Sequence, residues 1–171
     1  MRDEHGAAIT WLPYDLHPEY PPEGIPRDAL RKRYGEVFHD RTRELFERSG
    51  LVWNPSETVP NTRNALRVTE LARDRGVHDA FHDQLMEAYW ERGENIGDYA
   101  ILRAHAHEVG LDRDEVDRVL AGDDYLDRVQ ASTQQALSIG VSGIPAFLLD
   151  SRLIVLGAQP RAVFERALAD V

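Results

Sequence analysis

The sequence predicts an α/β domain that is mostly α-helical: a short strand, a long block of helices, a β-hairpin and a last helix. Three observations predict this class. Apolar residues recur at helical spacing through most of residues 27–139. Glycines follow several of these segments, where helices commonly end. Near the C-terminus two apolar runs, Ala146–Leu149 and Leu153–Leu156, lie on either side of a polar turn, as in a hairpin.

The first 49 residues contain a predicted strand, a loop and a helix. Ala7–Leu12 has the β-branched and aromatic residues of a short strand. Five prolines between positions 13 and 26 then favour a loop. One helix is predicted from Arg27 to Ser49, and Gly50 ends it. Its apolar side chains repeat at helical spacing: Leu30, Tyr34, Val37, Phe38, Leu45 and Phe46.

A loop over residues 51–61 leads into the remaining helices, which are too short to be stable alone and must pack on one another. The predicted helices are one ending near Gly76, one ending near Gly93, Asp98–Val109, a short one with the capping-box pair Asp112 and Glu115, and Asp124–Ile139. After the hairpin, Pro160 marks the first turn of a final helix. In the hairpin turn, Asp150-Ser151 replaces the usual Asn-Gly or Asp-Gly, so we expect a looser loop there.

Composition excludes several classes of function. The net charge is −10, which disfavours a nucleic-acid or anionic-membrane partner, because those surfaces select for Lys and Arg. No stretch approaches the ~18 apolar residues of a membrane span. The acidic opening residues lack the apolar run of a secretory signal, so we expect a cytoplasmic location. The chain contains no cysteine, which excludes disulfides, thiolate metal sites and thiol nucleophiles within it.

The Ile144-Pro145 bond opens the first strand of the hairpin. Proline has no N–H and so cannot begin a fully paired strand in the middle of a sheet. A cis peptide at this bond would turn the chain into the strand and leave the backbone of Ile144 exposed at the surface. An ordinary trans proline is the alternative, and by base rate it is far the commoner one.

Several segments together resemble the DsbA-like thioredoxin-fold oxidoreductases, in particular the FrnE type. Gly140–Asp150 and Gly157–Pro160 resemble the family's cis-proline loop and closing hairpin. The similarity extends over residues 7–170. Its other segments are Trp11–Pro18, Pro60–Thr62, Asp79–Phe81, Ala88–Trp90 and Asn95–Asp98. Related proteins of this kind include the 2-hydroxychromene-2-carboxylate isomerases, which use glutathione.

The resemblance implies a thioredoxin-like (DsbA-type) fold with a large helical insertion. Residues 1–26 and 140–171 would form the thioredoxin-like sub-domain, and residues 27–139 the insertion. It implies a cis Ile144–Pro145 bond. It further implies that the loop of Ser142, Gly143, Ile144 and Pro145 binds an extended peptide or glutathione, which pairs with the exposed backbone.

The departure from the family pattern lies at the N-terminus. Family members begin with a strand followed by a Cys-x-x-C motif, or a Ser-containing variant, at the start of a helix. Here about five residues precede what resembles the second strand, so we expect an N-terminally truncated sheet. No side chain in this chain can form the mixed disulfide of thiol–disulfide exchange, so no catalytic residue is assigned and no redox activity is expected.

Two functions remain open: an oxidoreductase or isomerase of this family, and a non-catalytic module that binds a peptide or self-associates. The gap left by the first strand has three solutions. The natural chain is longer, the Ala7–Leu12 strand pairs with the hairpin, or another subunit fills the gap. Exposed strand edges recruit other chains, so we expect a homo-oligomer, most simply a symmetric homodimer.

Other candidate sites are weaker. His78 and His82 have the spacing of a metal clamp, but no third ligand is evident beyond Asp79 and Asp83, so they are interpreted as solvated surface residues. Ser142 has no base placed by any motif and is interpreted as a turn residue. Trp53 and Trp90 are interpreted as packing residues. Neither a metal nor a cofactor is expected.

Overall fold

The computed structural model describes residues 6–171, apart from the side chains of Tyr34 and of residues 36–39. The predicted packing of Tyr34, Val37 and Phe38 therefore lies outside the described residues. The elements are β1 Ile25–Pro26, α1 Arg27–Tyr34, α2 Glu36–Arg48, β2 Thr58–Val59, α3 Arg63–Asp74, α4 His78–Trp90, α5 Tyr99–Glu108, α6 Arg113–Ala121, α7 Leu126–Ser138, β3 Ala146–Leu149, β4 Leu153–Leu156 and α8 Arg161–Ala169. The α/β class, rich in helix, is as predicted.

The chain divides into two compact units. The helical unit is His17–Val129. The hairpin unit consists of the residues up to Leu16 together with Gln130–Val171. The domain boundaries predicted from sequence, at residues 26/27 and 139/140, stay a prediction.

The core of the helical unit lies among α3, α4, α5 and α6. Each of these helices turns an apolar stripe inward, and Val68, Phe81 and Leu102 are fully buried at its centre. Burial of such side chains stabilises a fold by roughly 1.5–3 kcal/mol each. The four helices are therefore held by their shared core, as their short lengths require.

Both ends of α6 are capped by side chains. At its start the Asp112 carboxylate accepts a hydrogen bond from the Glu115 N–H at 3.0 Å, which confirms the predicted cap. At its end the buried Arg67 guanidinium donates to the carbonyls of Val119, Gly122 and Asp124. Carbonyls at a helix C-terminus lack partners within the helix. Arg67 satisfies the carbonyl of Val119 in the last turn of α6, that of Gly122 directly after it, and that of Asp124 in the turn beyond.

Two predicted elements are wrong. The single helix over Arg27–Ser49 is two helices, because Gly35 between α1 and α2 has a φ of +80° that a helix cannot contain. Ala7–Leu12 forms no strand. In the described part of the hairpin unit β3 and β4 pair only with each other, and residues 7–12 pair with neither strand.

A two-residue antiparallel pair in the helical unit was not predicted. Ile25 in β1 lies opposite Val59 in β2, and Pro26 lies opposite Thr58. Gly24 makes this pairing possible, since a Cβ at that position would lie 2.5 Å from the Val59 carbonyl oxygen. Strands this short carry little sequence signal, because a period of two cannot be recognised in two residues.

The hairpin unit is built on β3 and β4, which have the predicted bounds and pair antiparallel from Ala146↔Leu156 to Leu149↔Leu153. One face of the hairpin packs on α8, where the rings of Phe147 and Phe164 meet edge to face at 4.8 Å. The expected loose loop is a tight turn. Asp150 and Ser151 adopt positive φ values, and the Arg152 N–H donates to the Leu149 carbonyl at 2.9 Å.

Among the described helices, none combines the length and the apolar character needed to cross a membrane.

Candidate functional site

The loop between α7 and β3 begins near Val141, whose position is fixed by burial and by hydrogen bonds. Val141 is buried, and its N–H donates to the Ala136 carbonyl at 3.0 Å, which ends α7. Its carbonyl accepts a hydrogen bond from the Tyr14 hydroxyl at 3.5 Å. The segment around Tyr14 is itself held, because the Ser132 hydroxyl donates to the Pro13 carbonyl at 2.7 Å. The loop therefore leaves α7 in a defined direction.

The four residues predicted to bind a peptide follow directly. Ser142, Ile144 and Pro145 are exposed and Gly143 is partly exposed. Ile144 has 58% of its surface accessible, which is unusual for a large apolar residue next to a strand. The Ile144–Pro145 peptide bond is cis. The loop thus presents backbone and apolar surface on the outside of the hairpin unit.

The direction of the backbone groups along β3 follows from one hydrogen bond. The Gly157 N–H donates to the Pro145 carbonyl at 2.8 Å, which extends the hairpin register by one pair. In an antiparallel ladder the hydrogen-bonded pairs alternate with non-hydrogen-bonded ones. Phe147 therefore points its N–H and C=O towards β4, whereas Ala146 and Leu148 point theirs away from it.

The outer edge of β3 is consequently open. Among the described residues no strand lies on that side, and the backbone of Ile144 makes no hydrogen bond. We call Ile144, Ala146 and Leu148 the β3 edge. Their outward-facing backbone groups are spaced two residues apart, as in the unpaired edge strand of a sheet.

The side chains of the hairpin are apolar on both faces. Phe147 and Val155 lie on the face that packs on α8. On the other face, Leu148 and Leu156 remain 48% exposed. A strand pair without a polar face is typical of a sheet covered on both sides.

The chemistry of this loop is limited to recognition. Ser142, considered as a nucleophile, is exposed, and in the described part of the chain no His, Asp or Glu bonds to its hydroxyl. Backbone donors, backbone acceptors and apolar side chains bind extended chains, but they do not move protons.

The histidine pair lies elsewhere, in the helical unit. The rings of His78 and His82 stack at 5.9 Å, and His78 is buried, so its interpretation as a solvated residue was wrong. Arg73 Nη2 donates to His78 Nε2 at 2.9 Å, which satisfies this buried ring nitrogen and leaves it unavailable to a metal. Within the described ranges, no three His, Cys, Asp or Glu side chains are placed to hold a metal ion.

A second feature that sequence reasoning missed is an aromatic cavity in the helical unit. Trp53 and Trp90 stack at 5.3 Å with planes 26° apart, and both line a cavity of about 90 Å³ beside α1. Arg27 lines the same cavity, and its Nη2 donates to the Tyr89 hydroxyl at 2.7 Å. Burial raises the pKa of Tyr89, and the nearby Arg27 charge opposes that rise. The sequence signal was the tryptophans, which were interpreted as packing residues only.

Comparison with known proteins finds a family model, a sequence relative and a solved structure that are each similar over most of the chain. The family model of the DSBA-like thioredoxin domain matches residues 1–169. An uncharacterized protein, YwbO of Bacillus subtilis (strain 168), is 26% identical over 165 residues, which cover 95% of this chain and 81% of YwbO. The crystal structure of the probable DsbA oxidoreductase SCO1869 from Streptomyces coelicolor superposes with a TM-score of 0.83 at 29% identity. This match covers 92% of this chain and 72% of that one.

Proposed function

Because the chain belongs to the DSBA-like thioredoxin domain family, we propose that it binds extended peptide segments at the β3 edge without catalysing thiol–disulfide exchange itself. The bound segment adds a strand beside β3, and its backbone pairs with Ile144, Ala146 and Leu148. Glutathione, which is a short peptide, is a smaller ligand of the same chemistry.

The observation that carries the proposal is the open edge of β3. Backbone N–H and C=O groups of a strand require partners, and here they alternate outward from an ordered hairpin. Exposed apolar side chains flank them, with Ile144 at 58% and Leu148 at 48%. Main-chain hydrogen bonds supply affinity in this mode of binding, and the flanking side chains select the ligand.

The absence of exchange activity follows from the residue types of the 171-residue chain, which contains no cysteine. Exchange requires a thiolate that attacks a disulfide and forms a mixed disulfide. Insulin reduction by dithiothreitol should therefore proceed at the protein-free rate when this chain is added. A rate above that control would overturn this part of the proposal.

Peptide binding is tested with a fluorescent extended peptide rich in Val and Ile, measured by anisotropy. Leu148→Pro removes an outward-facing N–H but no hairpin bond, and proline is tolerated at such edge positions. We expect this variant to weaken binding at least tenfold. Leu156→Ala is the matched control. It shortens an apolar side chain on the same face of the hairpin, but on β4, which does not pair with the peptide. Equal binding by Leu148→Pro and the unmodified chain would contradict the proposal.

A second use of the same edge is pairing with another copy of the chain. The specific observation is that the hairpin face bearing Leu148 and Leu156 is apolar yet half exposed. Two β3 edges can pair antiparallel across a two-fold axis, which closes the assembly. Sedimentation at micromolar concentration should show a dimer of this 19.4 kDa chain that the peptide dissociates. A monomer whose mass is unchanged by the peptide would rule out self-association.

A further inference from the structure

The aromatic cavity of the helical unit is lined by a buried cation that forms no ion pair with any side chain the structure describes. Arg27 has only 5% of its surface exposed. Its Nε donates to the Ser56 carbonyl at 2.5 Å and its Nη2 to the Tyr89 hydroxyl at 2.7 Å. A guanidinium carries five N–H groups, so three of them have no partner among the described residues.

The guanidinium of Arg27 also lies over the Tyr89 ring, 5.4 Å from its centroid, a cation–π contact that offsets the charge only in part. No carboxylate of the described residues pairs with it, and both of its hydrogen-bond acceptors are neutral. Arg27 is also the first residue of α1, where the helix dipole favours anions and disfavours cations. A buried unpaired charge is costly, which is why buried cations in proteins normally have an anionic partner.

The cavity that Arg27 lines is shaped by flat apolar groups. Trp53 and Trp90 are stacked, Leu30 projects from α1, and Gly35 contributes no side chain. Phe46 supports Trp53 from the side, with ring centroids 5.0 Å apart. An apolar cavity of about 150 Å³ in another protein holds benzene. This cavity of about 90 Å³ is smaller but partly open, so it accommodates part of one ring.

We propose that this cavity is a binding site for a small carboxylate with an apolar ring. The ring contacts Trp53, Trp90 and Leu30, and the carboxylate accepts hydrogen bonds from the unused N–H groups of Arg27. Planar guanidinium–carboxylate pairing is charge-assisted and frequently bidentate. Arg31, one turn further along α1, lines the same cavity and is paired with Asp28 at 3.3 Å, so Arg27 is the cation that the proposal uses. The site lies within the helical unit and does not depend on the β3 edge.

Benzoate is the probe, and benzyl alcohol is its neutral counterpart. Trp53 and Trp90 report directly, because Trp11→Phe removes the one other tryptophan, which lies in the hairpin unit. We expect benzoate to quench this fluorescence saturably at millimolar concentrations and to raise the melting temperature. Benzyl alcohol should bind at least tenfold more weakly. Equal binding of the two compounds, or no saturable quenching by benzoate, would overturn the proposal.

Substitutions test whether benzoate binds in this cavity or is attracted by positive charge elsewhere on the chain. Arg27→Met should weaken benzoate binding at least tenfold, whereas Arg113→Met, at a position 84% exposed on α6, should leave it unchanged. Arg27 also bonds two groups of the protein, so its variant could lose its fold. Leu30→Phe fills the cavity while it leaves Arg27 in place, and it should abolish binding with the circular-dichroism spectrum intact. Undiminished benzoate binding by a folded Leu30→Phe variant would contradict the assignment.

Discussion

Replacement of Arg67 by methionine tests the account of how the helical unit is held together. Arg67 is 4% exposed and caps the C-terminus of α6 through three carbonyls. Methionine keeps most of the apolar stem but removes every donor. Burial lowers the pKa of Arg67, and the charges of Asp123 and Asp124 oppose that shift.

The magnitude follows from those three acceptors. A buried carbonyl without a partner costs about 1–3 kcal/mol, so three of them set a range of about 3–9 kcal/mol. The loss lies at the lower end for two reasons. Only the Val119 bond is fully buried, so water reaches the other two carbonyls. Methionine also avoids the desolvation of a charge. We expect a loss of about 3 kcal/mol, or a melting temperature lower by about 6–12 °C.

Urea unfolding followed by circular dichroism measures this loss. Arg67→Lys keeps the charge but has one donor group, so it should lie between the methionine variant and the unmodified chain. Arg113→Met is the control, because that side chain is 84% exposed and its removal should change stability by less than about 0.5 kcal/mol. A loss under about 1 kcal/mol for Arg67→Met would refute the capping argument.

Three further predictions concern other parts of the chain. The pKa of Glu94 is lowered in the folded chain, mainly by its hydrogen bond with His105 at 2.7 Å. The ionised carboxylate therefore stabilises the fold fully above pH 4.5, and this stabilisation is lost as the pH falls through the pKa of Glu94 in the folded chain. Glu94→Gln should therefore flatten the decline in stability on acidification, and an unchanged pH profile would contradict this. Gly24→Ala should destabilise by more than about 2 kcal/mol, because its φ is +78° and its Cβ would meet the Val59 carbonyl. Gly76 also has a positive φ, but a Cβ there would meet no other atom, so Gly76→Ala should cost only about 1 kcal/mol. Equal losses for the two variants in urea unfolding would mean that the contact with the Val59 carbonyl is irrelevant. Phe147→Ala should cost about 3 kcal/mol, because it removes the ring contact with Phe164, and a loss near zero would show that the hairpin does not pack on α8.

The elements with a strong local signal were predictable from sequence. Asp112 followed by Glu115 marks a helix start through one side-chain hydrogen bond, and the structure contains it. The bounds of β3 and β4 follow from two apolar runs around a polar turn. The family resemblance was predictable for the same reason, since its motifs are short and local.

Features that depend on tertiary partners could not be predicted in this way. Ala7–Leu12 has the composition of a strand, but a strand exists only where another backbone pairs with it. Gly35 divides α1 from α2 because of its backbone angle, whereas Gly50 only ends a helix, and composition does not distinguish the two. The hydrogen bond that satisfies the buried His78 ring comes from Arg73, five residues before it, a pairing with no recognisable motif.

The most direct test of the account is amide hydrogen exchange along the hairpin, measured by NMR with and without an extended apolar peptide. In the free monomer the Phe147 N–H should be protected, because it faces β4, and the N–H groups of Ile144, Ala146 and Leu148 should exchange quickly. Saturating peptide should slow exchange at those three residues by at least tenfold and leave Phe147 unchanged. If the three edge amides exchange at the same rate with the peptide bound, the peptide does not add a strand to β3 and the central claim is wrong.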